Sequence, residues 1–385
     1  MDQKKLVRVV TQPGAFRYLL KGQIGYMSQF FDITLISSEG PDLDFIRNTE
    51  KVGVTPIFMS RQITPTKDLI ALIKMIIAFI KIRPDIVHSH TPKAGLIAML
   101  AAWLCRVPKR MHTVAGMPLQ ECTGLKYHLI KFTEKLTYWA ATDVMPNSKG
   151  LLTFIKDNRL CPPHKLSIIG MGSSNGIDTD FFSPQAAAIH PDLPDLKAKI
   201  GYEKPEIRFL FVGRIVRDKG VNELVEAFQI VSKEIPEAKL FFVGLFEEDL
   251  NPLFPETMST LKTHPRIEFI GFQSDVRPAI YLCDCLILPS YREGLPQVLL
   301  QASALEKPCI TTDIMGCNEI VIEEKTGFIV APKNVIELAA AIKKMAQNQS
   351  RRQQMGIAAR VHVQQNYPKQ LIWDSLFKRY REPAN

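Results

Sequence analysis

The chain has 385 residues, a length that is large for one domain and suits two. Its 46% hydrophobic and 23% charged residues are those of an ordinary soluble globular protein. The apolar stretches at 69–82 and 96–105 are too short to span a bilayer, and no signal-peptide pattern opens the chain, so we expect a cytoplasmic protein. The seven cysteines show no metal-ligand spacing, so no metal site is expected.

The positive charge is confined to one half of the chain. Residues 1–180 hold 23 Lys and Arg against 14 Asp and Glu, whereas the remainder holds 25 of each, so the net charge of +9 belongs to the first half. This asymmetry favours an anionic partner, either nucleic acid or an acidic membrane surface. A scattered solvated surface explains the excess equally well.

Runs of β-branched and aromatic residues recur at the spacing of alternating strands and helices. In the first half, the predicted strands are residues 6–11, 31–38, 85–90, 110–114, 143–148 and 166–170. In the second half, they are residues 207–213, 240–244, 267–271, 285–290, 308–313 and 328–331. This alternation predicts an α/β protein with parallel sheets and right-handed crossovers.

A proline-rich segment separates the two halves. Residues 181–206 contain four prolines and are interpreted as the linker between an N-terminal domain, 1–180, and a C-terminal domain, 207–365. Residues 366–385 are predicted to form an amphipathic helix that crosses back to the N-terminal domain. Two doubly wound domains joined in this way are expected to leave a cleft between the carboxyl edges of their sheets.

The first half carries a glycine turn and an apolar helix. Gly14 follows the first predicted strand and could let backbone approach a ligand, but no G-x-G-x-x-G follows any strand, which argues against a nicotinamide or flavin enzyme.

Residues 69–82 are apolar on most faces, with Lys67, Lys74 and Lys81 recurring every seven residues. We favour a buried helix with one solvated lysine stripe over a helix lying on a membrane surface.

Histidines mark the ends of two neighbouring strands. His88 and His90 would lie on one face of a strand and could be a metal pair, but no suitable third ligand follows, so simple hydrogen bonding is favoured. Lys93 and His112 are expected at the same edge of the sheet. Each residue alone is better explained structurally, whereas four together suggest a ligand site.

Cations and glycines mark strand ends in the second half. Gly213 and Arg214 end a strand, and Lys219 precedes a helix, which together supply two cations and free amides for a diphosphate. The intervening pair Arg217-Asp218 could be only a solvated turn. Phe272 follows a strand-end glycine that could admit a flat base.

The stretch 289–301, PSYREGLPQVLLQ, places a carboxylate where a buried strand ends and a helix begins. Ligands of open α/β sheets bind at this edge, so Glu293 could accept hydrogen bonds from sugar hydroxyls while the following amides face a phosphate. The alternative, that Glu293 only caps the helix, is equally plausible on this residue alone.

The order of these motifs resembles the family-4 retaining glycosyltransferases of the GT-B fold, in which two Rossmann-like domains face each other across a cleft. The likeness covers essentially the whole chain and is closest to the bacterial branch that builds capsular polysaccharide, O-antigen and N-glycan precursors on polyprenyl diphosphate. The motifs are Gly14, HSHTPKAG at 88–95, HTVAG at 112–116, NGID at 175–178, Gly213-Arg214, Lys219-Gly220, SYREGLPQVLL at 290–300 and Gly327-Phe328.

The resemblance implies roles for residues of the second half. Arg214 and Lys219 would hold the nucleotide diphosphate, and Glu293 would contact the transferred sugar beside the amides of Gly294 and Leu295. The family's second glutamate, which holds the ribose, is replaced here by Gln301. An amide is still an adequate partner for ribose hydroxyls, so we expect the chain to be active. Tight ribose binding of the family's usual kind is expected less than activity is.

The resemblance also implies roles in the first half. His112 would lie near the reacting centre and Gly14 would border the diphosphate. The residues expected on the acceptor side are His90, Lys93 and Asn175.

The leading hypothesis is a glycosyltransferase that moves a hexose or N-acetylhexosamine from a UDP-sugar to a lipid-linked glycan. Its donor is a substrate, and no cofactor, metal or nucleic acid is expected, because Arg214 and Lys219 would stabilise the departing diphosphate. For a retaining outcome, front-face attack is favoured over a covalent intermediate because no nucleophile is evident in the first domain. The expected location is the inner face of the cytoplasmic membrane. The alternatives are a nucleotide-sugar epimerase and a non-catalytic sugar-nucleotide-binding protein.

Overall fold

The computed structural model describes residues 3–60, 62–247 and 251–383. It divides into two compact units, each described here by itself. One is Met1–Gly176 together with Lys369–Asn385, and the other is Ile177–Pro368.

The sheet of the first unit is parallel, with the strand order β3-β2-β1-β4-β5-β6. Its strands are β1 (Lys5–Val9), β2 (Asp32–Ser37), β3 (Gly53–Pro56), β4 (Ile86–Ser89), β5 (Lys109–Val114) and β6 (Asp143–Pro146). Its helices up to the unit boundary are α1 (Gln23–Ser28), α2 (Pro41–Glu50), α3 (Pro65–Ile82), α4 (Pro92–Leu104), α5 (Gly124–Ala140) and α6 (Lys149–Asp157). Proline occupies the first turn of α2, α3 and α4, where its missing N–H costs nothing.

The second unit repeats this architecture. Its helices before the sheet are α7 (Pro184–Ala188) and α8 (Leu193–Ile200). Its strands are β7 (Ile207–Val212), β8 (Ala238–Val243), β9 (Ile267–Gly271), β10 (Cys285–Leu288), β11 (Cys309–Thr312) and β12 (Gly327–Val330), in the order β12-β11-β10-β7-β8-β9. The remaining helices are α9 (Val221–Glu234), α10 (Pro255–Thr263), α11 (Arg277–Leu282), α12 (Gln297–Ala304), α13 (Cys317–Ile320), α14 (Val335–Gln347) and α15 (Gln349–Asn366).

Both sheets have the strand order of the doubly wound Rossmann fold. Each order reverses between the first and fourth strands of its unit, β1 and β4 in one and β7 and β10 in the other. Ligands bind outside the carboxyl ends of strands at such a reversal. The predicted fold class, two Rossmann-like α/β domains, is confirmed.

The C-terminal helix α16 (Lys369–Arg381) belongs to the first unit. Four of its side chains enter the hydrophobic core around β1, β2 and α1: Ile372, Trp373, Leu376 and Tyr380. Their burial makes this C-terminal helix part of the core of the first unit.

Several predicted elements differ from the structure. Strand β3 was not predicted, because its sequence, GVTP, is short and its glycine and proline suit an edge strand only. Residues 166–170 do not form a named strand, and Leu166 makes an isolated parallel bridge with Val144. The segment 181–206, expected as a linker, lies inside the second unit and folds into α7 and α8, where Ser183 caps α7 by accepting a bond from the Ala186 amide.

Helix α3 is not the buried helix that the sequence favoured. Ala71, Met75 and Phe79 are buried on one face, but a row of isoleucines on the other face is half exposed together with the lysines. Both rows are apolar, so hydrophobic periodicity did not distinguish the packed face from the exposed one.

Candidate active site

The polar centre of the second unit is an ion pair between Lys219 and Glu293. Lys219 lies in the turn before α9, and Glu293 lies in the loop between β10 and α12. Their Nζ and Oε1 atoms are 2.5 Å apart, and the Ser290 hydroxyl donates to the same carboxylate oxygen at 2.7 Å. Two residues 74 positions apart in sequence are thus joined at the carboxyl edge of the sheet, next to the reversal of strand order.

This pairing argues against one of the two interpretations of Glu293, namely that it caps α12. The N-cap of α12 is Pro296, and no side-chain hydrogen bond caps the helix. The Glu293 carboxylate is directed to Lys219 and Ser290 instead. Its side chain is 12% exposed, so it stays within reach of a ligand.

A second set of contacts fastens the two loops together. The Tyr291 amide donates to the Asp218 carbonyl at 3.0 Å, and Arg292 pairs with the Asp218 carboxylate at 2.9 Å. The Tyr291 hydroxyl donates to Glu223 on α9 at 2.6 Å. Arg217 is exposed, as a solvated turn would have it, but Asp218 is buried, and its contacts help to hold Lys219 against Glu293.

Glycines allow the close backbone approach that this edge requires. Gly220 has φ +69°, and a Cβ there would lie 2.0 Å from the Pro289 carbonyl oxygen. Gly316 has φ +81°, and a Cβ there would lie 1.9 Å from the Gly294 carbonyl oxygen. The loop that carries Glu293 is therefore packed backbone to backbone on both sides.

Three other predicted donor-site residues, Gly213, Arg214 and Phe272, follow the ends of β7 and β9 in the same unit. Arg214 is 43% exposed and pairs with Glu247 at 2.8 Å. Gly213, just before it, has φ +156°, and its carbonyl oxygen would lie 1.8 Å from a Cβ on Gly244. Phe272 is 54% exposed after the left-handed Gly271.

The residues after Glu293 differ in their exposure. Leu295 is buried in the turn that leads into α12, while the Gln301 side chain on α12 is half buried. Gln301 follows Gln297 by one helical turn, so both lie on the same face of α12. This face is where the predicted ribose contact would have to form.

In the first unit, His112 is buried. Its Nδ1 lies 2.8 Å from the Ser89 hydroxyl, and its ring packs so tightly on Gly95 that a Cβ there would be 2.4 Å from Cε1. Burial lowers the pKa of His112 to about 4, so the imidazole is neutral at physiological pH. The structure thus places the predicted reacting-centre histidine beneath the carboxyl edge of the sheet.

His88 and His90 belong to an internal polar network. His90 Nε2 lies 2.8 Å from a nitrogen of the fully buried Arg8, and His88 bonds with Thr113 and with the Tyr380 hydroxyl of α16. Burial lowers the pKa of both histidines well below 6.5. Among the described residues, no three His, Cys, Asp or Glu side chains are grouped to hold a metal ion.

Asn175 also lies in the interior of the first unit. Its amide oxygen accepts from Trp373 Nε1 at 2.7 Å and from Gln23 at 3.1 Å, and its amide nitrogen donates to the Lys21 carbonyl at 3.0 Å. These three bonds tie the chain near the unit boundary to α16 and to α1. The amide predicted on the acceptor side is thus engaged in bonds within the first unit.

The last two predicted residues lie nearer the surface. Lys93, in the first turn of α4, forms an ion pair with Asp68 of α3. Gly14 has φ −55° and precedes a π-helical turn, Ala15–Leu19, so its conformation does not require glycine. A Cβ there would lie 3.2 Å from a carboxylate oxygen of Asp42.

Sequence reasoning did not assign the residues that fasten the loops: Asp218, Glu223, Ser290, Tyr291 and Arg292. All lie within four residues of Lys219 or Glu293. The opposite charges of Asp218 and Arg292 on two separate loops were the available signal, but pairing them required the register of β7 and β10.

Comparison with known families covers most of the chain. The profile described as "Glycosyl transferases group 1" matches residues 193–362, and the one described as "Glycosyl transferase 4-like" matches residues 15–148. The first spans the Lys219–Glu293 pair and the second spans β4, β5 and His112.

Curated relatives extend the match to the whole chain. The capsular polysaccharide biosynthesis glycosyltransferase CapM of Staphylococcus aureus is 33% identical over 99% of this chain and 97% of its own length. The UDP-Gal:α-D-GlcNAc-diphosphoundecaprenol α-1,3-galactosyltransferase of Escherichia coli is 29% identical over 82% of this chain and 80% of that enzyme.

A solved structure shares the fold. The Anabaena protein HepE, determined in complex with UDP and glucose, superposes with a TM-score of 0.78 at 17% identity, covering 98% of this chain and 99% of HepE. The paired Rossmann units and the site define a glycosyltransferase of the GT-B type. With CapM matched over nearly its full length, the chain belongs to the group 1, family-4-like glycosyltransferases.

Proposed function

We propose that this glycosyltransferase moves a hexose or N-acetylhexosamine from a UDP-sugar to a glycan carried on polyprenyl diphosphate, with retention of anomeric configuration, during surface polysaccharide assembly. The observation that carries the proposal is the Lys219–Glu293 pair at the reversal of strand order in the second unit. A cation for phosphate and a carboxylate for sugar hydroxyls are adjacent there. The names of the Staphylococcus and Escherichia relatives support the capsular and diphosphoundecaprenol context.

The chemistry rests on charge that develops as the sugar departs. Negative charge grows on the leaving diphosphate while the sugar ring becomes positive, so a cation that binds the diphosphate more tightly in the transition state lowers the barrier. Lys219 and the exposed Arg214 supply that cation in this proposal, without a metal ion. Glu293, released from Lys219 by the incoming phosphate, accepts hydrogen bonds from the sugar.

Front-face attack is the proposed route to retention. Groups buried near the carboxyl edge of the first sheet include neutral imidazoles and hydroxyls, as in the His112–Ser89 pair, and the guanidinium of Arg8. Such groups can orient an acceptor hydroxyl but are poor covalent nucleophiles for a sugar. The leaving phosphate then takes the proton from the acceptor.

The proposed location of the enzyme is the inner face of the cytoplasmic membrane, where a polyprenyl tail would hold the acceptor. Among the described residues, no helix is long and apolar enough to cross a bilayer. The proposed attachment is peripheral and is supported by the excess of nine positive charges in residues 1–180.

Acceptor-dependent UDP release tests the proposal. The purified protein is incubated with a panel of UDP-sugars, with and without polyprenyl-diphosphate-linked glycan and with EDTA present. We expect one donor to release UDP only when acceptor is added, and NMR of the product to show the anomeric configuration of the donor. Donor isomerisation without acceptor, or binding without turnover, would contradict it.

A further inference from the structure

Two helices of the first unit expose long apolar rows to solvent. Helix α3 buries one face in the unit and presents a row with spacings of three and four residues on the other. The row and its exposed fractions are Ile70 54%, Ile73 50%, Ile77 47% and Ile80 61%. Residues at this spacing form one continuous stripe along a helix.

Helix α5 carries a matching row. Its exposed members are Leu125 87%, Leu129 43%, Phe132 62% and Trp139 52%. Helix α4 lies between α3 and α5 and packs against both. At its end Trp103, 43% exposed, contacts Trp139 with ring centroids 4.8 Å apart, which connects α4 to the apolar row of α5.

The charges beside these rows are of one sign. Lys67, Lys74 and Lys81 on α3, and Lys126 and Lys135 on α5, are exposed. The acidic residues of α3 and α5 do not offset them, because Asp68 is paired with Lys93 and Glu134 is buried.

We propose that the α3–α5 surface inserts its apolar rows into the headgroup region of an anionic membrane, with the lysines binding lipid phosphates. The proposal rests on the proposed function for its acceptor and goes beyond charge attraction, because isoleucine, phenylalanine and tryptophan side chains would leave water. The N-termini of α4 and α5 follow the carboxyl ends of β4 and β5, so the same layer leads from the lipid to the edge of the sheet that holds His112.

A membrane is favoured over a protein partner by composition. Cores of protein interfaces are depleted in lysine, whereas interfacial helices combine lysine, tryptophan and large aliphatic residues. Tryptophan is also enriched at the level of lipid headgroups. A second copy of this chain would oppose one lysine row to another.

Tryptophan fluorescence can report insertion directly. The chain has three tryptophans, of which Trp103 and Trp139 lie in this surface and Trp373 is buried. Vesicles of equal parts phosphatidylglycerol and phosphatidylcholine should shift the emission to shorter wavelength, and brominated lipids should quench it. The variant with Trp103→Phe and Trp139→Phe should lose both responses.

Substitutions in the isoleucine row of α3 test whether burial of apolar side chains or charge attraction dominates vesicle binding. Ile73→Gln with Ile77→Gln should lower the vesicle partition constant by at least about tenfold, because two large side chains no longer leave water. The matched control is Ile336→Gln with Ile357→Gln in the second unit, where exposed fractions are 71% and 55%, and it should bind as the parent does. Part of the parent's binding should survive about 1 M salt, where the Debye length is about 3 Å.

The result that overturns insertion is complete release at that salt concentration together with unchanged binding of the Ile73 and Ile77 variant. A dimer in sedimentation analysis that dissociates in this variant would overturn it too, by assigning the surface to a second copy. Transfer to a water-soluble short-chain acceptor should be equal in parent and variant. Vesicle binding by a parent without transferase activity would count against the proposed function alone.

Discussion

In the proposed function, the Lys219–Glu293 pair presents a cation and an anion to two parts of one ligand. Before the donor arrives, each side chain satisfies the other at 2.5 Å. A diphosphate offers Lys219 a stronger charge-assisted partner, and Glu293 becomes available to hydroxyl groups. Under this proposal, binding of the nucleotide part prepares the carboxylate for the sugar part.

Replacement of either proposed phosphate cation should cost activity without unfolding the protein. We expect Lys219→Ala and Arg214→Ala each to lower kcat by about 10²-fold or more, because a contact that strengthens in the transition state is lost. Steady-state kinetics measure this, with circular dichroism as the check on folding. Arg217→Ala is the matched control, since Arg217 bonds to Asn251 and should leave kcat nearly unchanged. Kinetics equal to the parent's in both site variants would remove the diphosphate assignment.

Gln301 provides a test of nucleotide binding separate from chemistry. If its amide holds the ribose, Gln301→Ala should raise KM more than it lowers kcat, as loss of uniform binding does. Gln301→Glu should be tolerated, since a carboxylate accepts the same hydroxyl bonds. Calorimetric titration with UDP gives the direct readout, and unchanged UDP affinity in Gln301→Ala would make the residue structural.

The buried Glu134 predicts a pH dependence of stability. Burial raises its pKa to about 7 in the folded state from 4.5, so its ionisation destabilises the fold as pH rises through that interval and the penalty is complete above about pH 7. Glu134→Gln should therefore increase the free energy of unfolding at about pH 8 by at most about 3 kcal/mol, which is seen as a higher Tm. At about pH 5 most of this gain should be lost. An equal gain at both pH values would contradict this titration.

The positions of some candidate-site residues could be predicted from the sequence, and those of others could not. Arg214, Lys219 and Glu293 follow strand ends, where a parallel sheet gathers its ligand contacts. The burial of His112 and Asn175 could not be predicted, because it depends on the missing side chain of Gly95 and on Trp373 from the far end of the chain.

At the scale of the element, the turn between β7 and α9 is fixed by backbone proximity. Gly220 combines a left-handed conformation with direct contact to the loop after β10. Any side chain at this position pushes that loop, and Glu293 with it, away from Lys219.

Gly220→Ala should consequently lose stability and activity together. We expect about 3 kcal/mol or more of destabilisation, from the strained φ and the clash with the Pro289 carbonyl oxygen, measured by denaturant unfolding. Gly271→Ala is the matched control, because it has φ +90° but no atom within 4 Å of the added Cβ, and it should cost only about 1–2 kcal/mol. Equal costs would mean that the contact with Pro289 relaxes freely.

Helix α3 and strand β3 show where the prediction of elements from sequence reached its limit. The strand positions of the second unit were predicted well because each is a buried β-branched or aromatic run ending in a glycine or polar turn. In α3 both faces are apolar, so the periodicity could not show that an isoleucine row is left unpacked. Strand β3 was missed because its pairing with β2, rather than its composition, makes it a strand.

At the scale of the whole molecule, the two units are not consecutive pieces of sequence. The chain completes the second unit before α16 fills the core of the first. The sequence analysis predicted this helix and its return to the N-terminal domain, whereas the side chains that it buries there depend on tertiary contacts such as that of Trp373 with Asn175.

Removal of the Trp373 side chain should destabilise one unit only. Trp373→Ala deletes a buried ring and its bond to Asn175, and we expect a cost of about 3–5 kcal/mol. Hydrogen exchange should quicken in β1 and β2 and stay unchanged in β7 and β10. Leu371→Ala, at a 42% exposed position of the same helix, is the control. Faster exchange spread evenly over both units would contradict this division.

The placement of α16 also sets an order of events during synthesis. The ribosome has made residues 1–176 and all of the second unit before Ile372, Trp373, Leu376 and Tyr380 exist. Part of the core of the nascent first unit therefore stays uncovered while the second unit can already fold. This order is the reverse of the usual one, in which the N-terminal domain folds first. A stalled or prematurely terminated chain would keep that apolar face open, so chaperone contacts on nascent chains should concentrate on β1, β2 and α1 and end when the last helix leaves the exit tunnel.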